Sequence, residues 1–467
     1  MKYNFNEKKD IEKMKKISSI KYDFIILGSG PAAVSLSNKL ISKSKNMAKV
    51  LIIEKGDIIK REYKKIFSRN LPIKLNSRVF SVGGSSNEWA NISSYFEKFE
   101  MESRWAKKNK NLWPLVHKEL IYHYEKLDKK YGFGYKRLVN KDFKLPFQTR
   151  QFIIRNCPIK FYNLINFKKI DLIYNCEIKF IDDFINSINV FTGKKNFFFT
   201  AKKLIICCGG IETVNLILNS LKTKKLQNMK NKKLVGRYFM NHPKLDLGHL
   251  IYPKKNLIEK LLIRKRNNFS SYYGISLDQK TQKKFNMLNT YVRFEKAYSK
   301  VTKFLTSFQS PLIDNFLTKK NRYFYKVKLF CEMVPNKKNK IQLKKNNLHV
   351  DYSFSKPDYK TIEFLIKKII NYFSFNPKKE KKILFSLKYI NKKSVDASHH
   401  MGGLIFNHKK KETNVDKNLK INGLQNVYVC SSAIFPTSGS VNPTMTIAAL
   451  ANRLGMHLVK KIQLNKY

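Results

Sequence analysis

Two adjacent histidines, His399 and His400, stand in the segment SHHMGG towards the end of the chain. A neutral imidazole can take up a proton near neutral pH, so either residue could serve as a general base. Either could also bind a metal ion or pack in the core, and the pair alone does not decide between these roles.

A nucleotide-binding turn is indicated near the amino terminus. Gly28 permits a tight turn, Gly30 lets a pyrophosphate approach the backbone, and small Ala33 allows close helix–strand packing. Glu54 ends the next apolar run, where an acid can accept hydrogen bonds from ribose hydroxyls, which favours FAD or NAD over NADP. The residues that fit the pattern GxGxxA, between an apolar run and a helical pattern, are Gly28, Ser29, Gly30, Pro31, Ala32 and Ala33.

Apolar runs alternate with helical patterns at both ends of the chain, which predicts a parallel sheet with both faces covered. The middle, about 246–394, instead shows short strand-like pieces, charged turns and one clear helix. That helix has one apolar face, which predicts core packing, with binding to a membrane surface as the less favoured alternative. The residues of the face are Ile362, Leu365, Ile366, Ile369, Ile370 and Phe373.

The 467 residues carry a formal net charge of +60, which suggests nucleic acid, an anionic membrane surface or an acidic substrate as partner. The lysines are spread along the chain, and no nucleic-acid-binding motif accompanies them. We therefore favour a solvated basic surface and expect no nucleic-acid partner. Association with a membrane surface is the less favoured alternative, and the cause of the charge stays open.

The cysteines show no paired spacing, which predicts reduced thiols and no structural zinc. The first twenty residues lack the apolar core of an export signal. No run approaches the ~18–20 apolar residues that a membrane span requires. These features together predict a cytoplasmic location.

Seven segments, taken in order, resemble the glucose–methanol–choline (GMC) oxidoreductase family. They are GSGPAA with Glu54, VGGSSNEWAN, WPL, CCGGIETVNLIL, VGRYFMNHP, SHHMGG and FPTSGSVNPTMTIAALANRL. The branch that this chain resembles holds the pyranose oxidases and related sugar dehydrogenases. The likeness covers the ends of the chain well and the middle only loosely.

The resemblance implies an α/β fold with two domains. A Rossmann-like FAD-binding domain would be built from both chain ends, as residues 20–245 and 395–465, the second part carrying the catalytic His and Asn. A substrate-binding domain with a mostly antiparallel sheet would be inserted between them as residues 246–394. The implied activity is oxidation of a CH–OH group of an alcohol, in particular a sugar or polyol. The implied cofactor is FAD, and the electron acceptor stays open.

The resemblance also implies the catalytic roles. The family pattern HxxGT aligns its histidine with His399, and the family's NP(T) motif supplies Asn442. In the family these two side chains face the flavin, where the histidine removes the hydroxyl proton as hydride leaves the carbon. His400 either helps to position the substrate or packs, and an exchange of roles between His399 and His400 stays open. A metal site is not expected.

The matching segments extend the expected FAD contacts beyond the glycine turn and Glu54. The further expected contacts are Gly83, Gly84, Ser85, Asn87, Trp89, Gly209, Ser431, Asn442, Pro443 and Thr444. Three departures from the family pattern matter. The first is at HxxGT, where the threonine is Gly403 and the usual arginine-methionine-glycine that follows is Ile405-Phe406-Asn407. Ser431 stands where much of the family has Asp, and Glu88 stands where pyranose oxidases carry a histidine that links the flavin covalently. A carboxylate cannot form that imidazole bond, so we expect FAD to bind non-covalently.

Two alternatives remain open. An NAD-dependent dehydrogenase would share the glycine turn but would leave the carboxy-terminal motifs unexplained. A catalytically inactive, flavoprotein-like scaffold could bind an anionic surface through its lysines. Among the other conspicuous residues, His242 in MNHP is interpreted as a turn or domain-junction residue, and Cys207-Cys208 as packing residues of an apolar strand.

Overall fold

The structure is a computed structural model. It describes all of residues 1–467 except 6–10, 103–111, 139–142, 184–187, 193–197, 253–255, 266, 297–322, 374–386, 408–412 and 465–467. The strands, in chain order, are β1 (Lys2–Asn4), β2 (Lys21–Leu27), β3 (Val50–Ile53), β4 (Phe67–Asn70), β5 (Ile92–Ser93), β6 (Gln148–Arg155), β7 (Ile170–Tyr174), β8 (Ile178–Asp183), β9 (Ile188–Thr192), β10 (Phe198–Ile206), β11 (Lys244–Tyr252), β12 (Arg264–Lys265), β13 (Phe269–Ser276), β14 (Tyr291–Lys296), β15 (Tyr323–Phe330), β16 (Lys340–Lys344), β17 (Asn347–Tyr352) and β18 (Val427–Val429). The α-helices, in chain order, are α1 (Ile11–Ser18), α2 (Pro31–Lys43), α3 (His117–Tyr131), α4 (Gly209–Lys222), α5 (Asn256–Leu261), α6 (Gln279–Phe285), α7 (Lys356–Phe373), α8 (Leu387–Lys393) and α9 (Thr444–Leu464).

A largely parallel sheet joins the two ends of the chain. Its strand order is β1-β7-β3-β2-β10-β9-β8, and β18 pairs with β10 in parallel, Leu204 opposite Val427. Among the described pairings of this sheet, only the two made by β9, with β8 and with β10, are antiparallel. The central strands are apolar where both of their faces are covered, and Ile25, Ile26 and Leu51 are fully buried. The predicted α/β fold with a sheet built from both chain ends is confirmed.

The helices that follow β2 and β18 cover the same part of the sheet. α2 and α9 pack so closely that a Cβ added to Gly455 would lie 2.9 Å from Cβ of Lys39. Only a small residue at this crossing lets the two helices approach. α9 is thereby packed against α2, the helix that follows the glycine turn. Segments from opposite ends of the sequence therefore meet here.

A second, antiparallel sheet has the order β11-β15-β14-β13-β6-β5, with β12 on β13. Most of it comes from the middle of the chain, as expected, but β5 and β6 lie within the range 20–245 that the sequence assigned to the FAD-binding domain. Strand β6 pairs with β13 along its whole length, from Gln148 opposite Ser276 to Arg155 opposite Phe269. The boundaries of the domains therefore stay a proposal, and the sheet itself draws on two separate stretches of sequence.

The helix predicted in the middle of the chain is α7, and its apolar face packs in the core. Five of the six predicted residues are buried, and Ile370 is partly buried against them. Because this face is covered by protein, core packing is the correct interpretation of the stripe. No described helix is long and apolar enough to cross a membrane.

Candidate active site

The glycine turn connects β2 to α2 in the way that the sequence predicted. Gly28 has φ +91°, and a Cβ added there would lie 2.7 Å from the carbonyl oxygen of Cys207, so both the conformation and the space require glycine. A Cβ on Gly30 would meet no atom within 4 Å, because this backbone faces an open cavity. Pro31 then begins α2, and Ala33 is fully buried against the sheet.

Glu54 closes the turn from the next strand. Its Oε2 accepts hydrogen bonds from the backbone N–H of Ser29 at 2.9 Å and from the Ser29 hydroxyl at 2.7 Å. Its Oε1 accepts from the backbone N–H of Gly56 at 2.9 Å. Burial raises the pKa of Glu54 above its ordinary value, although these hydrogen bonds oppose the shift. The carboxylate also lines the cavity, so it both shapes the turn and faces a ligand.

The cavity measures about 870 Å³ and extends from the glycine turn to the start of α9. The amino-terminal ends of α2, α4 and α9 all lie along it, and each offers free backbone N–H groups to an anion. Basic side chains outnumber acidic ones along the described wall, which suits a ligand with a pyrophosphate. The expected FAD contacts that line the cavity are Gly28, Ser29, Gly30, Pro31, Ala32, Glu54, Gly84, Ser85, Gly209, Ser431, Pro443 and Thr444.

Three expected contacts in the segment 82–89 lie behind the cavity wall instead. Asn87 Nδ2 donates to Ser81 Oγ at 2.7 Å and to the carbonyl of Val82 at 2.9 Å. Trp89 Nε1 donates to the carbonyl of Ile159 at 2.9 Å, and the N–H of Gly83 donates to the Ser29 hydroxyl at 3.0 Å. These residues hold the loop in place, so among the expected contacts of this segment only Gly84 and Ser85 face the cavity. Ala33, likewise, supports the turn without lining the cavity.

His399 and Asn442 meet next to residues that line this cavity. Asn442 Nδ2 lies 2.8 Å from His399 Nε2. Neither side chain is among the cavity-lining residues, but their chain neighbours Ser398, His400, Pro443 and Thr444 are. The structure thus brings together the two residues that the sequence assigned to catalysis, although they come from separate segments.

His400 points elsewhere. Its Nε2 lies 3.2 Å from Asp396 Oδ2, and its ring centroid lies 6.0 Å from that of Phe239. The side chain is buried, and His400 lines the cavity without contacting Asn442 in the described hydrogen bonds. The geometry therefore favours His399 over His400 as the partner of Asn442.

Asp396 holds the histidine segment in shape. Ser398 adopts φ +64°, an uncommon conformation for a residue other than glycine, and its N–H donates to Asp396 Oδ1 at 2.6 Å. The N–H of Lys74 and the Nδ2 of Asn241 also donate to this carboxylate, at 3.0 and 2.8 Å. Burial alone would raise the pKa of Asp396, but His400 and these donors hold it below its ordinary range.

His242 lies directly behind His399, which the sequence did not predict. The Nδ1 atoms of the two imidazoles are 3.0 Å apart, and their rings are nearly perpendicular, at 86°. The two segments are held in register by reciprocal backbone hydrogen bonds between Met240 and Met401, at 2.8 and 2.9 Å. The sequence predicted a turn or domain-junction residue here, and the structure adds that its ring lies against His399.

A buried ion pair supports the loop on the other side of His242. Glu100 is fully buried, and its Oε1 accepts from Arg150 Nη1, from the N–H of Ser440 and from Asn289 Nδ2, at 2.8, 2.8 and 3.0 Å. A buried carboxylate with this many donors is fixed in position. Glu100 and Arg150 lie in segments with no recognisable motif, so no local sequence signal could have identified them.

Burial lowers the pKa of His399 well below the ordinary histidine value, and neighbouring His242 lowers it further. Burial likewise lowers the pKa of His242 to about 4, although two backbone carbonyls oppose the shift. Both imidazoles are therefore neutral at neutral pH. A neutral imidazole next to an amide donor can accept a proton from a hydroxyl group held by that amide.

The described residues contain no group of three or more His, Cys, Asp or Glu side chains that could hold a metal ion. All six cysteines are free. Cys207 is buried and Cys208 partly buried at the end of β10, which agrees with the packing role expected for them.

The glycine turn, Glu54 and the cavity beside them have the features that a nucleotide cofactor requires. Residues 336–451 match the family model described as GMC oxidoreductase. The carboxy-terminal part of the chain therefore matches the GMC oxidoreductase family, and the resemblance seen in the sequence is confirmed for this part. Among the curated proteins, none matches this chain in sequence.

Solved structures of the same fold cover nearly the whole chain. A variant of the formate oxidase of Aspergillus oryzae RIB40, studied for FAD modification, has a TM-score of 0.61 at 14% identity and covers 96% of this chain and 100% of its own. The pyridoxine 4-oxidase of Mesorbium loti has a TM-score of 0.60 at 13% identity, covering 94% and 99%. At such low identity the likeness shows the fold.

Proposed function

We propose that this protein is an FAD-dependent dehydrogenase or oxidase that acts on a CH–OH group of an alcohol, in particular a sugar or polyol. The observation that carries the proposal is the contact of 2.8 Å between Asn442 and His399, whose chain neighbours line the same cavity as the glycine turn and Glu54. The GMC oxidoreductase match over 336–451 includes both His399 and Asn442.

The residues present fit FAD. The backbone at Gly30 and at Gly209 is open to the cavity, since a Cβ on either would meet no atom within 4 Å. The turn and the start of α2 would hold the pyrophosphate, Glu54 the ribose, and Ser431, Pro443 and Thr444 the other end of the cofactor. Bound FAD supplies the two-electron acceptor for the hydride that leaves the alcohol carbon.

The chain's own residues accept the proton and orient the hydroxyl group. As the C–H bond breaks with loss of hydride, the O–H bond breaks as well, and the imidazole of His399 accepts the proton, so that the alcohol leaves as a carbonyl compound. Asn442 holds the hydroxyl oxygen beside the imidazole and stabilises its developing charge. His400, held by Asp396, shapes the cavity wall. An electron acceptor from solution then reoxidises the protein.

An anaerobic panel of alcohols and sugars, added to the purified protein while its absorption spectrum is recorded, tests this function. We expect a flavin spectrum in the resting protein and loss of the flavin absorption with at least one alcohol. A bound flavin that no member of the panel bleaches would support the inactive scaffold. A colourless protein that takes up NAD but no FAD would support the NAD-dependent alternative.

FAD should bind without a covalent link. Glu88 stands where a linking histidine occurs in relatives, and its carboxylate is held by Arg61 and by the hydroxyl of Tyr63, at 3.1 Å in the latter case. We therefore expect precipitation with acid to release all of the flavin into the supernatant. Glu88→Gln, which removes the charge and keeps the shape, should release it equally. Yellow colour that stays with the precipitate of either protein would contradict the prediction.

A further inference from the structure

His242 contacts the candidate base at the nitrogen that faces away from Asn442. Its Nδ1 lies 3.0 Å from His399 Nδ1, and its side chain is buried. The same amide oxygen, Asn241 Oδ1, accepts hydrogen bonds from the backbone N–H of His242 at 2.8 Å and of His399 at 3.2 Å. The side chain of Asn241 therefore ties the backbones of the two histidines to one acceptor.

The proton on His242 can be assigned from its other neighbours. His242 Nε2 lies 3.1 Å from the carbonyl oxygen of Ser438 and 2.9 Å from that of Gly439. A carbonyl oxygen can only accept a hydrogen bond, so Nε2 must carry the proton. Glu100, whose Oε1 also accepts from the N–H of Ser440 at 2.8 Å, holds this loop against the ring.

The position of the proton on His242 determines the position of the proton on His399. A neutral imidazole has one N–H, so Nδ1 of His242 has none and can only accept. The hydrogen bond between the two Nδ1 atoms must be donated by His399, which places the proton of neutral His399 on its Nδ1. Its Nε2 is left with a lone pair, directed at Asn442.

We propose that His242 is a positioning residue that fixes the tautomer of His399, so that Nε2 is the atom that accepts the substrate proton. This inference rests on the proposed function, because it specifies the base of that reaction. Asn442 Nδ2, an amide donor 2.8 Å from Nε2, favours the same tautomer, so without His242 only that contact would oppose a proton on Nε2. A His399 protonated on Nε2 cannot accept a proton from a hydroxyl group beside Asn442.

The groups around the two rings keep both of them neutral. Burial lowers the pKa of each, and His242, His400 and Lys244 lower that of His399 further, whereas Asp396 opposes the shift. Glu100 and the two carbonyls raise that of His242, without overcoming burial. These shifts favour the neutral form of both imidazoles. With two neutral rings, the hydrogen bonds from the loop carbonyls through His242 to His399 allow only one placement of the protons.

Two substitutions at one position separate the donor of His242 from its acceptor. In His242→Asn, the amide oxygen can take the place of Nδ1 and accept from His399. In His242→Gln, the amide nitrogen can take the place of Nε2 and donate to the loop carbonyls, but no acceptor faces His399. We expect His242→Gln to reduce the bound flavin ~10–100-fold more slowly, and His242→Asn to retain most of the rate.

The tautomer can be observed without any substrate. In protein labelled with ¹⁵N-histidine, the long-range ¹H–¹⁵N correlations of His399 should show N–H at Nδ1 in the wild type and in His242→Asn. In His242→Gln, Nε2–H should become populated. His123→Gln removes another buried histidine, whose Nδ1 contacts Asn452 at 2.9 Å, and should leave the spectrum of His399 and the rate unchanged.

The outcomes separate this inference from the proposed function. If wild-type His399 carries its proton on Nε2, or if His242→Gln keeps both the tautomer and the rate, His242 does not set the tautomer. The wild-type spectrum alone gives this answer even if a variant fails to fold. If no alcohol bleaches the flavin, the proposed function fails, and the NMR result still decides the tautomer.

Discussion

The His399→Ala variant is expected to take up FAD like the wild type and to reduce it with alcohol ~10²–10⁴-fold more slowly, the usual contribution of general-base catalysis. FAD uptake should persist because His399 is not part of the cavity lining, whereas Glu54 and the glycine turn are. The rate should fall because no other described side chain takes the place of the imidazole beside Asn442. Stopped-flow absorbance under anaerobic conditions measures the rate.

Two neighbouring substitutions serve as controls for the loss of rate. Asn442→Ala should lie between the wild type and His399→Ala, because it removes positioning and charge stabilisation but not the proton acceptor. His400→Ala should cost much less, since its ring is directed at Asp396. Added imidazole should partly restore His399→Ala. If His400→Ala reduced its flavin much more slowly while His399→Ala kept the wild-type rate, His400 and not His399 would be the base.

Replacement of Glu54 is expected to weaken FAD binding by ~10–100-fold, which corresponds to the ~1.5–3 kcal/mol of a hydrogen bond to a charged group. In Glu54→Ala the cofactor loses its ribose acceptor. The turn also loses the acceptor for Ser29, whose N–H and hydroxyl lie 2.9 and 2.7 Å from Glu54 Oε2. The dissociation constant of FAD, measured on protein stripped of its cofactor, gives the effect.

A second variant distinguishes two contributions of Glu54 to FAD binding, its hydrogen bonds to the turn and its hydrogen bond to the ribose. Ser29→Ala keeps the carboxylate but removes the hydroxyl contact, so it should weaken FAD binding less than Glu54→Ala. Glu363→Gln, at an exposed carboxylate paired with Lys367 on α7, controls for a change of charge alone. If Glu54→Ala binds FAD as tightly as the wild type, Glu54 does not hold the ribose.

Local patterns were enough to predict the nucleotide-binding part of the molecule. A glycine that needs φ +91° and an acid at the end of the next strand depend on neighbours within one β–α–β unit, so their sequence signal is short-range. The parallel sheet follows from apolar strands buried on both faces. The meeting of His399 with Asn442 was predicted from the family resemblance, since the chain separation of the two residues carries no signal of its own.

The support of the catalytic pair could not be predicted. His242 reaches His399 only through the backbone pairing of Met240 with Met401, and Glu100 reaches Ser440 only after strands distant in sequence have packed. Such contacts depend on tertiary register, which one sequence does not encode in any local pattern. The pairing of β6 with β13 has the same cause, because the two strands are distant in the chain and no local pattern in β6 indicates its partner.

The pH dependence of flavin reduction in the wild type and in His399→Ala tests the central claim most directly. A base acts only when unprotonated, so the wild-type rate should be full at neutral pH and fall as the pH decreases through the pKa of His399. Because burial and His242 lower that pKa, the decrease should lie below the ordinary histidine value of ~6.5. We predict that His399→Ala reduces its flavin slowly and without this acid limb. An unchanged acid limb in His399→Ala would show that another group accepts the proton.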